Sequence, residues 1–264
     1  MSFFKDTMAV DYSTVTEQTG DLVSQEALSM LYTRYRYASQ FCAGKRVLEV
    51  ACGPGLGVHY LAKHARFMVG GDSTRSLVET ARRTSESVLP FVRMDAQALP
   101  FRPESLDVVV CYEALYYFPE PDSFLMECRR VLGSEGLLVL CSVNPEWPDF
   151  NPSPWSCRYY PANALVRLLQ ARGFSAVVQG AFPVGNDSAR DSLISSIKRL
   201  AVALHLIPST MKGKRFLKRL FLGRLAPIPS ALTEGLAPYH PPVPVEAGCA
   251  VPNFKILFAV ARPN

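Results

Sequence analysis

From residue 46 onward, short apolar runs alternate with stretches in which apolar side chains recur every three or four positions. The runs at 46–50, 67–71, 90–93, 106–111 and 136–142 are brief and predominantly apolar, the pattern of strands covered on both faces. Between them, 57–64, 75–86 and 123–132 carry one apolar stripe each and predict amphipathic helices. Strands that alternate with helices build a parallel sheet, because each right-handed crossover lays its helix on a sheet face. A further helix is expected at 161–172, with Leu165, Leu168 and Leu169 on one side, and two more strands at 174–179 and 254–261. Ahead of the first strand, a helical stretch over 24–41 reads as a flap on the domain.

An insertion separates the last two strands. Leu193, Ile194, Ile197, Leu200, Ala201 and Leu204 recur at helical spacing, as do Phe216, Leu217, Leu220 and Phe221, with Pro208 and Gly213 between the two groups. Residues 227–252 hold seven prolines and predict an ordered, extended loop. The expected layout is therefore a helical flap at 1–43, a core at 44–183, a basic helical and proline-rich lid at 184–252, and a final core strand at 253–264.

Charge sharpens that layout. The chain has a net charge of +5, and 184–252 contains nine Lys or Arg against four acids, which accounts for the whole excess. Such a segment is either a solvated helix surface or a place where an anionic partner lands. At 264 residues, 48% hydrophobic and 19% charged, the chain can bury the core of one large α/β domain. Seven cysteines without paired short spacing do not form a disulfide framework, and Cys111 and Cys141 sit inside apolar runs. A cytoplasmic protein is expected, with no leader and no apolar run long enough to cross a bilayer.

The candidate chemistry begins at 47–57, VLEVACGPGLG, where an apolar strand runs into a glycine-rich turn that opens a helix. Gly53 and Gly55 permit backbone conformations and a ligand approach that a β-carbon would obstruct. The spacing is not that of the dinucleotide fingerprint G-x-G-x-x-G. The next strand ends at Asp72, about twenty residues on, where a carboxylate can cap a turn or accept both hydroxyls of a ribose. Asp95 ends the third strand, where its side chain could accept from an adenine amino group while the Ala96 N–H meets a ring nitrogen.

Taken together, Glu49-x-Ala51-x-Gly53-x-Gly55, then Asp72, then Asp95-Ala96-x-x-Leu99-Pro100-Phe101 resembles the class I S-adenosylmethionine-dependent methyltransferases. SLDVVVCYEALYYF at 105–118 and RRVLGSEGLLVL at 129–140 resemble the fourth and fifth strand regions of that family. The resemblance implies a Rossmann-like α/β fold with a seven-stranded, mostly parallel sheet and helices on both faces. Its C-terminal hairpin would be antiparallel, with the last strand inserted between its neighbours. It also implies S-adenosyl-L-methionine as cofactor and no metal. Glu49 would lie near the methionine amino group, Ala51, Cys52, Gly53 and Gly55 along the methionine portion, and Asp72 at the ribose. Ser73 and Thr74 would flank the adenine held by Asp95 and Ala96, and Tyr112 would sit beside the sulfonium. Ala51 stands where the family usually has glycine, which is tolerable if its φ is negative. Arg34, with Tyr35, is a candidate to close over the cofactor carboxylate.

Acceptor chemistry is less sharply written. Glu113, Tyr116 and Tyr117 follow the fourth strand and, with His240 in the proline-rich loop, are the candidate proton acceptors. The aromatic stretch 144–160 offers Asn144, Trp147, Asp149 and Asn151 as acceptor contacts, and could equally be a loop anchored by its rings. The insertion has three readings: a lid, a surface at 190–225 meeting anionic lipid, or a nucleic-acid patch, the last without any recognised binding module. The lid reading fits a small-molecule acceptor, anionic or sugar-containing, methylated at oxygen. A nicotinamide-dependent oxidoreductase and a non-catalytic S-adenosylmethionine binder are the rival classes.

Overall fold

The structure, a computed structural model, describes residues 10–85, 89–184 and 225–264. The two basic helices expected within 190–224 therefore lie outside the described residues, and so does the membrane contact proposed for that segment. Among the described residues no helix is long and apolar enough to cross a membrane.

A single 3-10 turn at Tyr12–Thr14 and a short strand β1 (Leu22–Ser24) lead into α1 (Gln25–Ser39). The Ser24 hydroxyl caps α1 by accepting the Ala27 N–H, which starts the helix at the first residue after the strand. The alternating unit then follows as β2 (Arg46–Val50), α2 (Leu56–Ala62), β3 (Phe67–Asp72), α3 (Arg75–Thr84), β4 (Phe91–Arg93), β5 (Leu106–Tyr112), α4 (Pro121–Val131) and β6 (Leu132–Val143). The chain ends with α5 (Ala162–Ala171), β7 (Phe174–Pro183), β8 (Leu225–Pro227), β9 (Val243–Pro244) and β10 (Phe254–Pro263).

The main sheet has the order β4-β3-β2-β5-β6-β10-β7-β9. β2 pairs in parallel with both β3 and β5, whereas β10 is antiparallel to β6 and β7 and sits between them. This is the expected mostly parallel Rossmann-like sheet with its inserted last strand. Burial explains why the strand pattern is so plain: Val47 and Val108 face a core beneath α1, α2 and α3, while Leu48 and Val109 face a second core beneath α4 and α5. Order reverses between β2 and β5, and a ligand crevice in such sheets opens outside the carboxyl ends at that switch point.

Two features lie outside the sequence-based expectation. β1 pairs antiparallel with β8, so the N-terminal arm and the segment after residue 224 form a small second sheet. β9 adds an eighth strand by pairing with β7. The proline-rich loop between β8 and β10 is extended, as expected, and it is strapped to α1 and α2. Glu234 accepts from the Tyr32 and Tyr60 hydroxyls at 2.8 and 2.6 Å, the Ser29 hydroxyl donates to the Pro238 carbonyl, and Thr33 Oγ1 accepts the His240 N–H.

Candidate active site

A cavity of about 360 Å³ opens at the switch point. Its floor is the turn after β2, where Ala51 and Gly53 both have positive φ, at 55° each. Ala51 thus occupies the left-handed region that disfavours a β-carbon, which corrects the expectation of a negative φ there. The turn is pinned from β3: the Cys52 N–H donates to the Gly71 carbonyl at 3.0 Å, and the Gly53 N–H donates to Asp72 Oδ2 at 2.9 Å. Gly55 (φ 87°) is not a wall of the cavity. A β-carbon there would stand 2.8 Å from the Phe91 ring, so this glycine serves the packing of α2 on β4.

Asp72 ends β3 buried in the cavity wall, with Oδ1 accepting the Thr74 N–H at 2.8 Å. Burial raises its pKa, and the N–H donors of Thr74 and Gly53 offset part of that rise. Ser73, Asp95 and Ala96 continue the wall, and Asp95 is oriented by the Gln97 N–H at 2.9 Å. Thr74 stands behind it, where its hydroxyl accepts the Tyr12 N–H.

The opposite wall comes from α1 and the end of β5. Arg34 Nη2 donates to Glu113 Oε1 at 2.8 Å, and the Tyr116 hydroxyl and Val143 N–H donate to Oε2 at 3.1 and 3.3 Å. Burial disfavours the Arg34 charge, but Glu113 outweighs it and holds the guanidinium above its ordinary pKa. Burial and then the Glu113 charge push the Tyr116 phenol far up, and burial does the same to Tyr112. These phenols are donors at neutral pH, so neither is a proton acceptor. Tyr117, also on the wall, shares a 2.6 Å hydrogen bond with Ser153 Oγ.

Glu49 does not line the cavity. It is buried behind the wall, where Oε1 accepts from the Tyr35 hydroxyl at 2.7 Å while Oε2 has no partner. Burial raises its pKa to about 8, against the Tyr35 hydrogen bond, which lowers it. Tyr35 itself is seated over Gly57, where a β-carbon would stand 1.8 Å from its ring.

Several expected acceptor contacts lie elsewhere. Asn144 is fully buried, donating to the Val251 and Phe254 carbonyls at 2.6 and 2.8 Å, so it pins a loop to β10. Trp147 lies under the Lys255 ammonium, 5.6 Å from the ring centre, and neither it, Asp149 nor Asn151 lines the cavity. The aromatic stretch is anchored by its rings: Tyr159 stacks on Tyr116 at 4.3 Å, with Phe150 edge-on to Tyr159. Only Ser153 of that stretch reaches the cavity. His240 packs on Phe182 at 4.6 Å and is not a cavity wall, and neither is any residue of 225–252. The proline-rich half of the expected lid is therefore a strap over α1, because its hydrogen bonds are spent on that helix.

Sequence reasoning also missed Tyr12, Val15, Thr16 and Glu17, which cross the cavity mouth. Tyr12 meets Tyr117 at 5.1 Å, and Thr16 lies over Gly53. The segment has no periodic pattern, and its contacts across the mouth are with residues more than 35 positions away.

Residues 48–140 match the methyltransferase domain family. These residues form a methyltransferase domain, and its fold is that of S-adenosylmethionine-dependent class I enzymes. This domain is similar to phthiotriol/phenolphthiotriol dimycocerosates methyltransferase 1 of Mycobacterium ulcerans, 42% identical over 121 residues, covering 42% of this chain and 45% of that protein. It is 34% identical over 164 residues to the fatty-acid O-methyltransferase of Mycolicibacterium smegmatis, covering 61% and 57%. The chain spans about half the length of the curated relatives it matches. A SAM-dependent methyltransferase structure from Archaeoglobus fulgidus shares the fold, with a TM-score of 0.57 at 15% identity, over 90% of this chain and 94% of that one.

The buried polar atoms of the methyltransferase domain fit that cofactor. Arg34 Nε and the Tyr112 hydroxyl, both on cavity-lining residues, lack partners, as does Glu49 Oε2 just behind. A donor and a hydroxyl left unpaired on the cavity walls, with an unpaired carboxyl oxygen behind them, are complementary to an amino-acid group carrying both a carboxylate and an ammonium.

Proposed function

We propose that this chain transfers the methyl group of S-adenosylmethionine to an oxygen of a small amphiphilic acceptor. The observation that carries this reading is Asp72, whose buried carboxylate is braced by the Gly53 N–H at the edge of the cavity floor. Each of its oxygens accepts one backbone N–H, and the Ser73 N–H and Thr74 hydroxyl also approach it, which fixes the carboxylate at the wall where a ribose would lie. Asp95 and the Ala96 N–H would hold the adenine, with Ser73 and Thr74 flanking it. Arg34 Nε would meet the cofactor carboxylate, and Glu49, behind the wall, would act on its ammonium through water or backbone. When bound, the cofactor supplies an electrophilic methyl group, so the chain's own residues have only to align the acceptor, exclude water and take a proton.

Glu113 is the proton acceptor in this reading. Arg34, Tyr116 and Val143 occupy three of its four lone-pair sites, and the fourth, on Oε1, faces only the Cys141 thiol at 3.9 Å, a weak donor that an acceptor hydroxyl would displace. The relatives named for fatty-acid and phthiotriol substrates, and a ubiquinone biosynthesis O-methyltransferase of Coxiella burnetii that is 30% identical over 104 residues, support an acceptor with an apolar body. An anionic or sugar-linked acceptor, the finer reading of the basic segment, is disfavoured by the walls. Glu17 and Glu113 face a single cation there, Arg34, which is already paired. Seven cysteines without paired short spacing support a reducing, cytoplasmic setting for the reaction.

Incubation with methyl-labelled S-adenosylmethionine and a lipid extract tests the reading. Label should appear in a lipid-soluble ether or ester. Label confined to the aqueous fraction would overturn the acceptor assignment.

A further inference from the structure

We infer that Trp155 is a specificity-determining residue that grips the apolar tail of the acceptor outside the cavity. The inference rests on the methyltransferase reading above. At about 360 Å³ the cavity lies near the lower end of the roughly 300–1,000 Å³ spanned by small-molecule pockets. A nucleoside-sized cofactor takes up most of it, so an acceptor with a long apolar body must leave that body at the mouth. Ser153, Phe118 and Pro119 form the rim on the Tyr117 side. Trp155 stands two residues beyond Ser153, and at 64% it is the most exposed large apolar side chain among the described residues.

The loop that presents Trp155 is tightly held. The Ser153 N–H donates to the Tyr159 hydroxyl at 2.9 Å, and the Ser156 hydroxyl donates back to the Ser153 carbonyl at 2.7 Å. The Cys157 N–H donates to the Tyr116 carbonyl at 2.7 Å, which ties the loop to the same tyrosine that touches Glu113. Trp155 itself has a φ of 67°, a left-handed conformation that a bulky residue rarely adopts. Backbone strain of this kind persists only where the surroundings enforce it, and it concentrates at ligand clamps. A bulky ring carried by a tightly held loop two residues from the mouth is suited to an alkyl or isoprenoid chain, whose burial there has no competing polar group to satisfy.

Dodecylcatechol and methylcatechol, uncharged probes differing only in the tail, test the assignment by calorimetry on the full chain with S-adenosylhomocysteine present. Dodecylcatechol should bind at least tenfold more tightly than methylcatechol to the wild type. W155A should abolish that difference, W155F should restore part of it, and neither should alter S-adenosylhomocysteine affinity. Tryptophan emission should shift to the blue with dodecylcatechol in the wild type and not in W155F. Equal binding of the two probes, no binding of either, or a tail preference that survives W155A would overturn the Trp155 assignment while leaving the cofactor reading intact. Failure of S-adenosylhomocysteine itself to bind would overturn the methyltransferase reading instead. Trp155-dependent sedimentation with phosphatidylcholine vesicles, with the dodecylcatechol preference unaffected by W155A, would assign the residue to a membrane surface and equally contradict the inference.

Discussion

The two ends of the cavity are built by different means. At the cofactor end, consecutive strand termini β2, β3 and β4 supply a backbone turn and two carboxylates, braced by backbone N–H groups of the neighbouring strand end and of the residues two positions on. At the acceptor end, Arg34 from α1, Glu113 from the end of β5, Tyr12 from the N-terminal arm and Ser153 from a distant loop converge mainly through their side chains. A backbone-built site tolerates little variation in conformation, whereas a side-chain-built site can change its ligand by single substitutions. That difference places a shared cofactor at one end and a chain-specific acceptor at the other.

The acceptor end is the easier to break. Arg34→Leu leaves the Glu113 carboxylate without its cation in a mostly buried site, where removing one partner destabilises by roughly 3 kcal/mol. Urea unfolding should register that loss, and methyl transfer should fall with it. Unchanged stability would mean that the pair is solvated and does not position Glu113. Gly57→Ala tests the contact joining the two ends, since its β-carbon would enter the Tyr35 ring and force α1 to shift, at about 2 kcal/mol. A thermal midpoint within a degree of the wild type would show that Tyr35 can move away freely.

Protonation offers a gentler probe at the cofactor end. Glu49 has a folded pKa of about 8, above the 4.5 of an ordinary glutamate, so the folded state holds a proton that the unfolded state releases. Its stabilising contribution is fully present below about pH 4.5 and is lost as pH rises through about 8. Glu49→Gln should therefore flatten the fall in stability across this window, and an identical pH profile would remove the burial argument. The smallest expected effect runs the other way. Ala51→Gly relieves a left-handed alanine and should stabilise by about 1 kcal/mol or less, read from the denaturant midpoint.

The same contrast explains what could be read before the structure was known. Strands buried on both faces are apolar at most positions, so β2, β3, β5 and the hairpin arms stood out, and Gly53, Asp72 and Asp95 followed as residues at or just beyond carboxyl ends of the sheet. Glu49 and Gly55 belong to the same motif, yet their side of the turn packs inward, a distinction that spacing does not carry. Asn144 looked like a ligand contact because amides suit either role, and only the paired Val251 and Phe254 carbonyls reveal it as a loop pin. His240 looked free because nothing local predicts a strap that joins Pro238 and His240 to α1, over 200 positions away. The residues 12–17 carry no period at all, and their place over the mouth is set by long-range contacts with Thr74, Tyr117 and Gly53.

Calorimetric titration of S-adenosylmethionine and of NADH into the wild type and Asp72→Ala tests the central claim most directly. S-adenosylmethionine should bind the wild type at one site per chain and at least about tenfold more weakly in the variant, because the ribose loses a charged acceptor. NADH should give no heat. Tight NADH binding, or S-adenosylmethionine affinity undiminished by the loss of Asp72, would contradict the account.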